Sequence, residues 1–307
     1  MVHQIRGQGA RAFGAIVGAV FATTLAAQAP PSNVEQPRTL RVNGVERDYL
    51  LYVPSQYQAS RPAPLVLVFH GAGGRPKQMA RHTGFTTLAE REGVIVVYPA
   101  GIRRRWNDGR GMVSSDDVGF VRDLLDTVQH ELSIDPKRIY ATGISNGAMF
   151  SYRLACDLPG VFAGIAPVAG AMPTALVPTC SPGSPVAIAA FQGTADPLVP
   201  YGGGGVAVRR GRVLSATESV QRWAEADGCA AAPTITMEPD RVTDGTRVRL
   251  SSWTACEQGH DVVLYTIEGG GHTWPGDRGA GRLLGRATRD IDATMAIWSF
   301  FSAHPKP

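Results

Sequence analysis

Short apolar runs alternate with segments of helical periodicity along most of this 307-residue chain. Apolar runs of this kind are typical of strands buried on both faces of a sheet. They lie at 65–69, 94–98, 138–142, 164–168, 186–191 and 262–267. Helical spacing occurs at 77–92, 118–132, 217–227 and 290–303. Apolar strands alternating with helices predict an α/β fold with a mostly parallel twisted sheet and helices on both faces.

An antiparallel hairpin is predicted to open this fold. Residues 40–42 and 45–53 alternate apolar and polar positions around Asn43 and Gly44, the dipeptide that a type I′ turn favours. With 44% hydrophobic residues, the chain can supply one large core. We therefore expect a single domain over residues 39–307.

Residues 1–29 have the composition of a secretion signal. Arg6 and Arg11 precede an apolar, charge-free run, and Ala27-Gln28-Ala29 has the form of a signal-peptidase site. A membrane anchor is the alternative, but the run is shorter than the roughly 20 residues that span a bilayer. We expect cleavage after Ala29, a linker at 30–38, export to periplasm or medium, and no membrane span in the mature chain.

The charge balance argues against nucleic acid as a partner. The formal net charge is +4, and removal of Arg6 and Arg11 with the signal lowers it to +2. Three arginine clusters remain to be explained. They are most simply solvated loop charge, or else one of them steers an anionic substrate. The clusters lie at 103–105, 209–212 and 282–289.

All four cysteines lie in the exported part of the chain, where an oxidising compartment favours disulfides. Four cysteines allow three pairings. Sequence neighbours pair most economically, which predicts Cys156–Cys180 and Cys229–Cys256. A zinc site is the competing interpretation, but the chain has no C-x-x-C spacing or close Cys/His pair. We expect no metal.

The segment Gly143-Ile144-Ser145-Asn146-Gly147 matches the G-x-S-x-G pattern of a nucleophile elbow. An apolar strand pattern precedes it and a helix-forming segment follows it, which is the context that this turn requires. A glycine-rich turn without catalytic function is the alternative. Because the pentapeptide stands between strand and helix, Ser145 is the predicted nucleophile.

A serine nucleophile needs a histidine base and a carboxylate that orients the base. His272 follows the strand pattern at 262–267 after a short glycine loop, and Asp196 follows the strand pattern at 186–191. Both positions lie at the carboxyl edge of a parallel sheet, where active sites gather. The order Ser, Asp, His is that of α/β-hydrolases. Asp240 and Asp244 are the reserve acids.

Acyl transfer also requires hydrogen-bond donors for the oxyanion. The backbone N–H groups of Asn146 and of Ala72, which lies in the His70-Gly71-Ala72 loop, are the predicted donors. His70 is expected to orient this loop. Trp106 and Trp274 lie in loops at the same edge, either as an aromatic wall for the substrate or as loop packing.

Together these motifs resemble the secreted polyhydroxybutyrate depolymerase and feruloyl esterase family of α/β-hydrolases, to which acetylxylan esterases are related. The resemblance implies the triad Ser145, Asp196 and His272, and an oxyanion hole completed by the early His-Gly loop. It rests on ordered matches along nearly the whole mature chain. These lie at 69–71, 98–106, 116–120, 138–149, 166–170, 193–201 and 270–276.

The resemblance implies a secreted serine ester hydrolase that forms an acyl-enzyme and needs no cofactor. Its expected substrates are esters of 3-hydroxyalkanoates, such as polyester oligomers, or hydroxycinnamoyl esters of the plant cell wall. Two alternatives remain open: a serine peptidase of the prolyl oligopeptidase type, and a non-catalytic protein that binds polymer or cell wall.

Overall fold

The computed structural model describes residues 32–180, 185–207, 210–277 and 282–307. The predicted signal peptide, residues 1–29, lies outside the described residues. Within them, no helix is long and apolar enough to cross a membrane.

Ten strands form one sheet, and two two-residue strands pair separately. The strands are β1 Ser32–Val42, β2 Val45–Val53, β3 Ala63–Phe69, β4 Ile95–Pro99, β5 Ile134–Ile144, β6 Gly164–Val168, β7 Ala187–Gly193, β8 Gly204–Gly205, β9 Arg212–Val213, β10 Thr234–Met237, β11 Arg247–Trp253 and β12 Val262–Glu268. The order across the large sheet is β1-β2-β4-β3-β5-β6-β7-β12-β11-β10. The six central strands from β4 to β12 run parallel, and two antiparallel strands flank them on each side.

Helices cover both faces of this sheet, as the sequence predicts. They are α1 Pro76–Thr83, α2 Phe85–Glu92, α3 Asp117–Glu131, α4 Asn146–Asp157, α5 Ala216–Ala226 and α6 Ala293–Ala303. Alternate residues of one strand enter opposite cores, because strand side chains point to opposite faces. Leu65 and Leu67 pack in the core that contains α3, α4 and α5, whereas Val66 and Val68 pack with α1, α2 and α6. The mostly parallel α/β prediction is confirmed.

Several elements differ from the sequence prediction. The first strand begins at Ser32, so Ser32 and residues 36–38, expected as linker, pair with β2. The predicted helix at 77–92 is two helices, because Gly84 adopts a left-handed conformation (φ 69°) that ends α1. The strands β10 and β11 extend the sheet and were not predicted. The pattern there is polar because β10 is an exposed edge strand.

Both predicted disulfides are present. Cys156–Cys180 joins the end of α4 to the segment that follows β6. Cys229–Cys256 joins the segment after α5 to the loop after β11. The sequence-neighbour prediction was correct because each pair lies at the ends of elements that pack on the same sheet.

The second disulfide lies beside a buried acid, Asp227, which ends α5. Its Oδ2 accepts a long hydrogen bond from the Val186 N–H (3.4 Å), and its Oδ1 has no partner among the described residues. Burial, together with the nearby Glu257 carboxylate, raises the pKa of Asp227 from 3.8 to about 7. The folded protein therefore binds this proton more tightly than the unfolded chain does.

Replacement of this acid should change how stability depends on pH. The stabilisation from protonated Asp227 is complete below about pH 4 and is lost as pH rises through about 7. Asp227→Asn keeps the neutral form at every pH. We expect the Tm difference between variant and wild type to grow from pH 5 to pH 8, measured by thermal unfolding. The exposed Asp123→Asn should show a constant difference, and a constant difference for Asp227→Asn would contradict the assignment.

Candidate active site

Ser145 is the single residue between β5 and α4, and serine rarely adopts its backbone conformation. Its φ is 59° and its ψ is −118°. The Ser145 N–H donates to Val168 O (2.9 Å), and Ser145 O accepts from the Met149 N–H (3.0 Å). These bonds tie the turn to β6 and to the first turn of α4. Strain of this kind costs on the order of 1–3 kcal/mol and persists only where the surroundings enforce it.

The two glycines of the pentapeptide allow this turn to press against β3. A Cβ atom on Gly143 would lie 2.6 Å from Phe69 O, and a Cβ on Gly147 would lie 2.5 Å from the same oxygen. No side chain fits at either position without moving the backbone. The elbow and the end of β3 are therefore in contact through their main chains.

The predicted acid and base meet at the carboxyl edge of the sheet. Asp196 follows β7 and His272 follows β12, and these two strands pair in parallel as far as Ile267 and Gly193. His272 Nδ1 lies 2.8 Å from Asp196 Oδ2, and both side chains are buried. The register of two neighbouring strands thus brings together residues 76 positions apart.

Both oxygens of the Asp196 carboxylate are fixed by further hydrogen bonds. Oδ1 accepts from the backbone N–H groups of Leu198 and Val199, each at 2.8 Å. Oδ2 accepts from Gln192 Nε2 (3.0 Å) in addition to the His272 ring. Gln192 was not singled out from the sequence, because one glutamine at a strand end carries no signal of its partner.

The segment around Leu284 holds the His272 backbone. The His272 N–H donates to Leu284 O (2.6 Å), and the Gly271 N–H donates to Arg286 O (2.8 Å). Ser145 Oγ makes no hydrogen bond to His272 in this conformation. Catalytic hydrogen bonds are often long before substrate binds. Ser145, Leu198 and Val199 line one cavity, so the serine faces the loop that holds Asp196.

The cavity beside Ser145 has a volume of about 30 Å³. Its walls come from the loop after β3, the segment 105–112, the elbow with α4, residues between 198 and 207, and Arg210. The lining residues are Ala72, Arg105, Trp106, Arg110, Met112, Ser145, Asn146, Met149, Leu198, Val199, Val206, Ala207 and Arg210. This volume corresponds to roughly two water molecules, so the space is narrow without substrate.

Both predicted oxyanion donors lie at this cavity. Ala72 and Asn146 line it with Ser145, and neither backbone N–H donates a hydrogen bond within the described part of the chain. A Cβ on Gly71 would lie 3.4 Å from Ser145 Cβ, so the early loop reaches the serine. Two unpaired N–H groups next to a serine hydroxyl can stabilise a developing oxyanion.

His70 orients the early loop, as predicted. Its Nε2 accepts from the Gly101 N–H (3.0 Å), so Nδ1 carries the proton and donates to Gly71 O (2.8 Å). Burial lowers the pKa of His70, which keeps the ring neutral. Gly73 and Arg104 add a second connection, since the Gly73 N–H donates to Arg104 O (2.8 Å).

The side chain of Asn146 has a structural role that the sequence did not reveal. Its Oδ1 accepts from the Trp106 N–H (2.7 Å), and its Nδ2 donates to Trp106 O (3.0 Å) and to Asp108 Oδ2 (2.6 Å). Asp108 is buried and pairs with Arg110 (2.6 Å). The residue after Ser145 thus fixes the neighbouring loop as well as presenting its own backbone N–H.

Both tryptophans are buried. Trp106 stacks on Phe150 and donates from Nε1 to His70 O (2.9 Å), although it borders the cavity. Trp274 donates from Nε1 to Thr294 Oγ1 (3.1 Å) and packs in the core shared with α1, α2 and α6. This placement favours loop packing for Trp274 and leaves Trp106 as part of the cavity wall.

The reserve acids, and the two acids at the start of α3, have partners other than His272. Asp240 forms an exposed ion pair with Arg247, and Asp244 accepts from Thr246 and from the Arg289 N–H. Asp116 caps α3, and the neighbouring Asp117 is buried against Arg47 (2.6 Å). None of them contacts His272.

Comparison with known proteins identifies the family. The family model described as esterase PHB depolymerase matches residues 47–178. NocK of Nocardia uniformis subsp. tsuyamanensis, a relative named as an esterase, is 32% identical over 254 residues, which cover 78% of this chain and 74% of that protein. The chain belongs to the PHB depolymerase and feruloyl esterase family. It is a carboxylic ester hydrolase.

A feruloyl esterase matches over nearly the full length, and a solved esterase structure shares the fold. Feruloyl esterase D of Neurospora crassa is 29% identical across 91% of this chain and 92% of its own length. The solved acetyl xylan esterase of Aspergillus awamori superposes with a TM-score of 0.59 at 16% identity, covering 78% of this chain and 94% of that one. That similarity shows the α/β-hydrolase fold, which confirms the predicted fold class.

The close approach of the elbow to β3 can be tested on the glycines. In Gly147→Ala the new methyl group meets Phe69 O, and we expect a loss of about 1–3 kcal/mol of unfolding free energy. Urea denaturation measures it. Gly202→Ala is the matched control, because a Cβ there has no atom within 4 Å. Equal stability of the two variants would show that the elbow is not confined in this way.

Proposed function

We propose that Ser145, His272 and Asp196 are the nucleophile, base and orienting acid of this ester hydrolase. The observation that carries the proposal is the 2.8 Å contact between His272 Nδ1 and Asp196 Oδ2, at the sheet edge where Ser145 occupies a strained turn. The buried carboxylate holds the imidazole with Nε2 free to accept a proton. Ordered hydrogen bonds to Asp196 keep that orientation fixed.

The reaction proceeds through an acyl-enzyme. Ser145 Oγ attacks the ester carbonyl while His272 takes its proton, and the oxyanion accepts from the N–H groups of Asn146 and Ala72. His272 then protonates the leaving alcohol oxygen. A water molecule, deprotonated by His272, attacks the acyl carbon and releases Ser145. The free N–H groups at the cavity support this role for Asn146 and Ala72.

The substrates are 3-hydroxyalkanoate esters or hydroxycinnamoyl esters. The family match and the similarity to feruloyl esterase D support these two acyl classes. The cavity at Ser145 is narrow without substrate, so either acyl class requires its walls to move apart. Trp106 lies at the wall of this cavity and limits its width.

The enzyme acts outside the cytoplasm. Two disulfides support an oxidising compartment, and the apolar segment before Ala29 supports export. Its partners are therefore extracellular or periplasmic esters.

Replacement of the nucleophile tests the central assignment. Ser145→Ala should lower kcat for a short-chain aryl ester by at least about 10³-fold, because no other group in the cavity forms the acyl-enzyme. Release of the phenol measures this rate. Ser299→Ala, on the exposed face of α6, is the control. Wild-type turnover by Ser145→Ala would refute the proposal.

The acid is tested by an isosteric change. Asp196→Asn should lower kcat by about 10⁴-fold with a small change in KM, because the amide no longer holds the imidazole in the orientation that accepts the serine proton. Steady-state kinetics on the same ester separate the two parameters. Asp240→Asn removes a reserve acid and should leave kcat within about twofold. The opposite ranking would assign the orienting role to the reserve acid.

A further inference from the structure

The cavity at Ser145 is bordered by three arginines from two separate segments. Arg105 and Arg110 come from the loop after β4, and Arg210 comes from the segment before β9. Among the residues that the structure describes, no acidic side chain lines this cavity. Three cationic side chains at the reacting serine are unexpected in a site that handles only neutral esters.

One of the three arginines is neutralised by an acid. The Arg110 side chain is buried and pairs with Asp108, which is itself buried and accepts from Asn146. Arg110 Nη1 also donates to Arg210 O (2.6 Å), which joins the two segments across the cavity. Gly211 permits this contact, since a Cβ there would lie 3.0 Å from Arg110 Cβ.

The other two arginines carry uncompensated charge. Arg105 and Arg210 are half-buried and form no ion pair or side-chain hydrogen bond within the part of the chain that the structure describes. A guanidinium group that is partly removed from water and lacks an acid partner binds carboxylates well, because its planar N–H groups match two oxygens. A substrate carboxylate would supply the missing negative charge.

We propose that Arg105 and Arg210 bind a free carboxylate on the substrate, so that the enzyme prefers short acidic oligoesters and cleaves them near their carboxyl end. The inference rests on the proposed function of Ser145. In a linear oligomer of a 3-hydroxy acid, the terminal carboxylate lies a few bonds from the last ester linkage. A chain whose last ester carbonyl is at Ser145 therefore has its carboxylate within reach of the cavity rim.

The reaction remains an ordinary ester hydrolysis. The bond between the acyl carbon and the terminal alkoxy oxygen breaks. That oxygen takes the proton from His272, and the terminal unit leaves as a hydroxy acid. Water then adds to the acyl carbon, which releases Ser145, the shortened chain as a carboxylate, and one proton. Each cycle thus creates a new carboxyl end, which is the group that the two arginines recognise.

A matched pair of substrates tests this preference. The linear trimer of 3-hydroxybutyrate and its methyl ester differ only in the terminal charge. We expect the wild-type kcat/KM to be at least about tenfold higher for the free acid, since hydrogen bonds to charged groups exceed neutral ones by that order. The ratio should fall as salt rises from 0.05 to 0.5 M. Product chromatography should show monomer released from the free acid.

Variants assign the preference to the two arginines. Arg105→Gln and Arg210→Gln should each lower the acid-to-methyl-ester ratio several-fold, and Arg210→Lys should retain part of it because the positive charge remains. Arg122→Gln on α3 is exposed and outside the cavity, so its ratio should equal that of the wild type. Thermal unfolding of each variant verifies folding, and the ratio itself is independent of the active fraction.

The outcomes separate this inference from the proposed function. Equal kcat/KM for both trimers, with Ser145-dependent turnover of each, would overturn the carboxylate site and leave the triad intact. A strong acid preference that survives in both glutamine variants would also overturn it. Absence of Ser145-dependent turnover for either trimer and for the aryl ester would refute the proposed function itself.

Discussion

The contact of the Ser145 turn with the end of β3 is the constraint on which the site depends. Gly143 and Gly147 both approach Phe69 O so closely that a Cβ would overlap it. Ser145 lies at this contact in its strained conformation, and the His70 loop lies beside it. Because the proposed oxyanion donors flank this junction, the same contact positions Ser145 and both donor N–H groups.

A second layer of polar contacts keeps that junction in place. Asn146 clamps both backbone groups of Trp106, and Asp108 connects Asn146 to Arg110. On the opposite side, His70 holds the loop that begins at Gly101. These groups are buried, so each lost partner would leave an unsatisfied polar atom. Arg105 and Arg210 lie at the cavity rim, and within the described part of the chain neither has an acid partner.

The sheet positions the proposed acid and base, Asp196 and His272. Parallel pairing of β7 with β12 ends both strands at the same edge, and the loops that follow them supply Asp196 and His272. Backbone N–H groups of Leu198 and Val199 then fix the carboxylate. Those two residues also line the cavity, so the loop that orients the base shapes the space for the substrate.

The sequence determined the features that depend on local pattern. Apolar runs located the buried strands, the glycines around Ser145 located the elbow, and chain order located Asp196 and His272 because parallel strands share a carboxyl edge. The end of α1 at Gly84 and the edge strand β10 were not predicted, because one glycine and a polar strand give weak sequence signals.

Which side chains meet across the cavity depends on how distant loops pack together in the tertiary structure. The Asn146–Trp106–Asp108 network and the burial of Trp274 arise between segments far apart in the chain, whereas Gln192 reaches Asp196 through the turn that follows β7. The same dependence on packing holds for Arg105 and Arg210: the sequence places them in two of three arginine clusters but does not show which of these borders Ser145. Whether a surface charge is solvated or borders a reacting serine depends on which loops pack together, and no local periodicity records that.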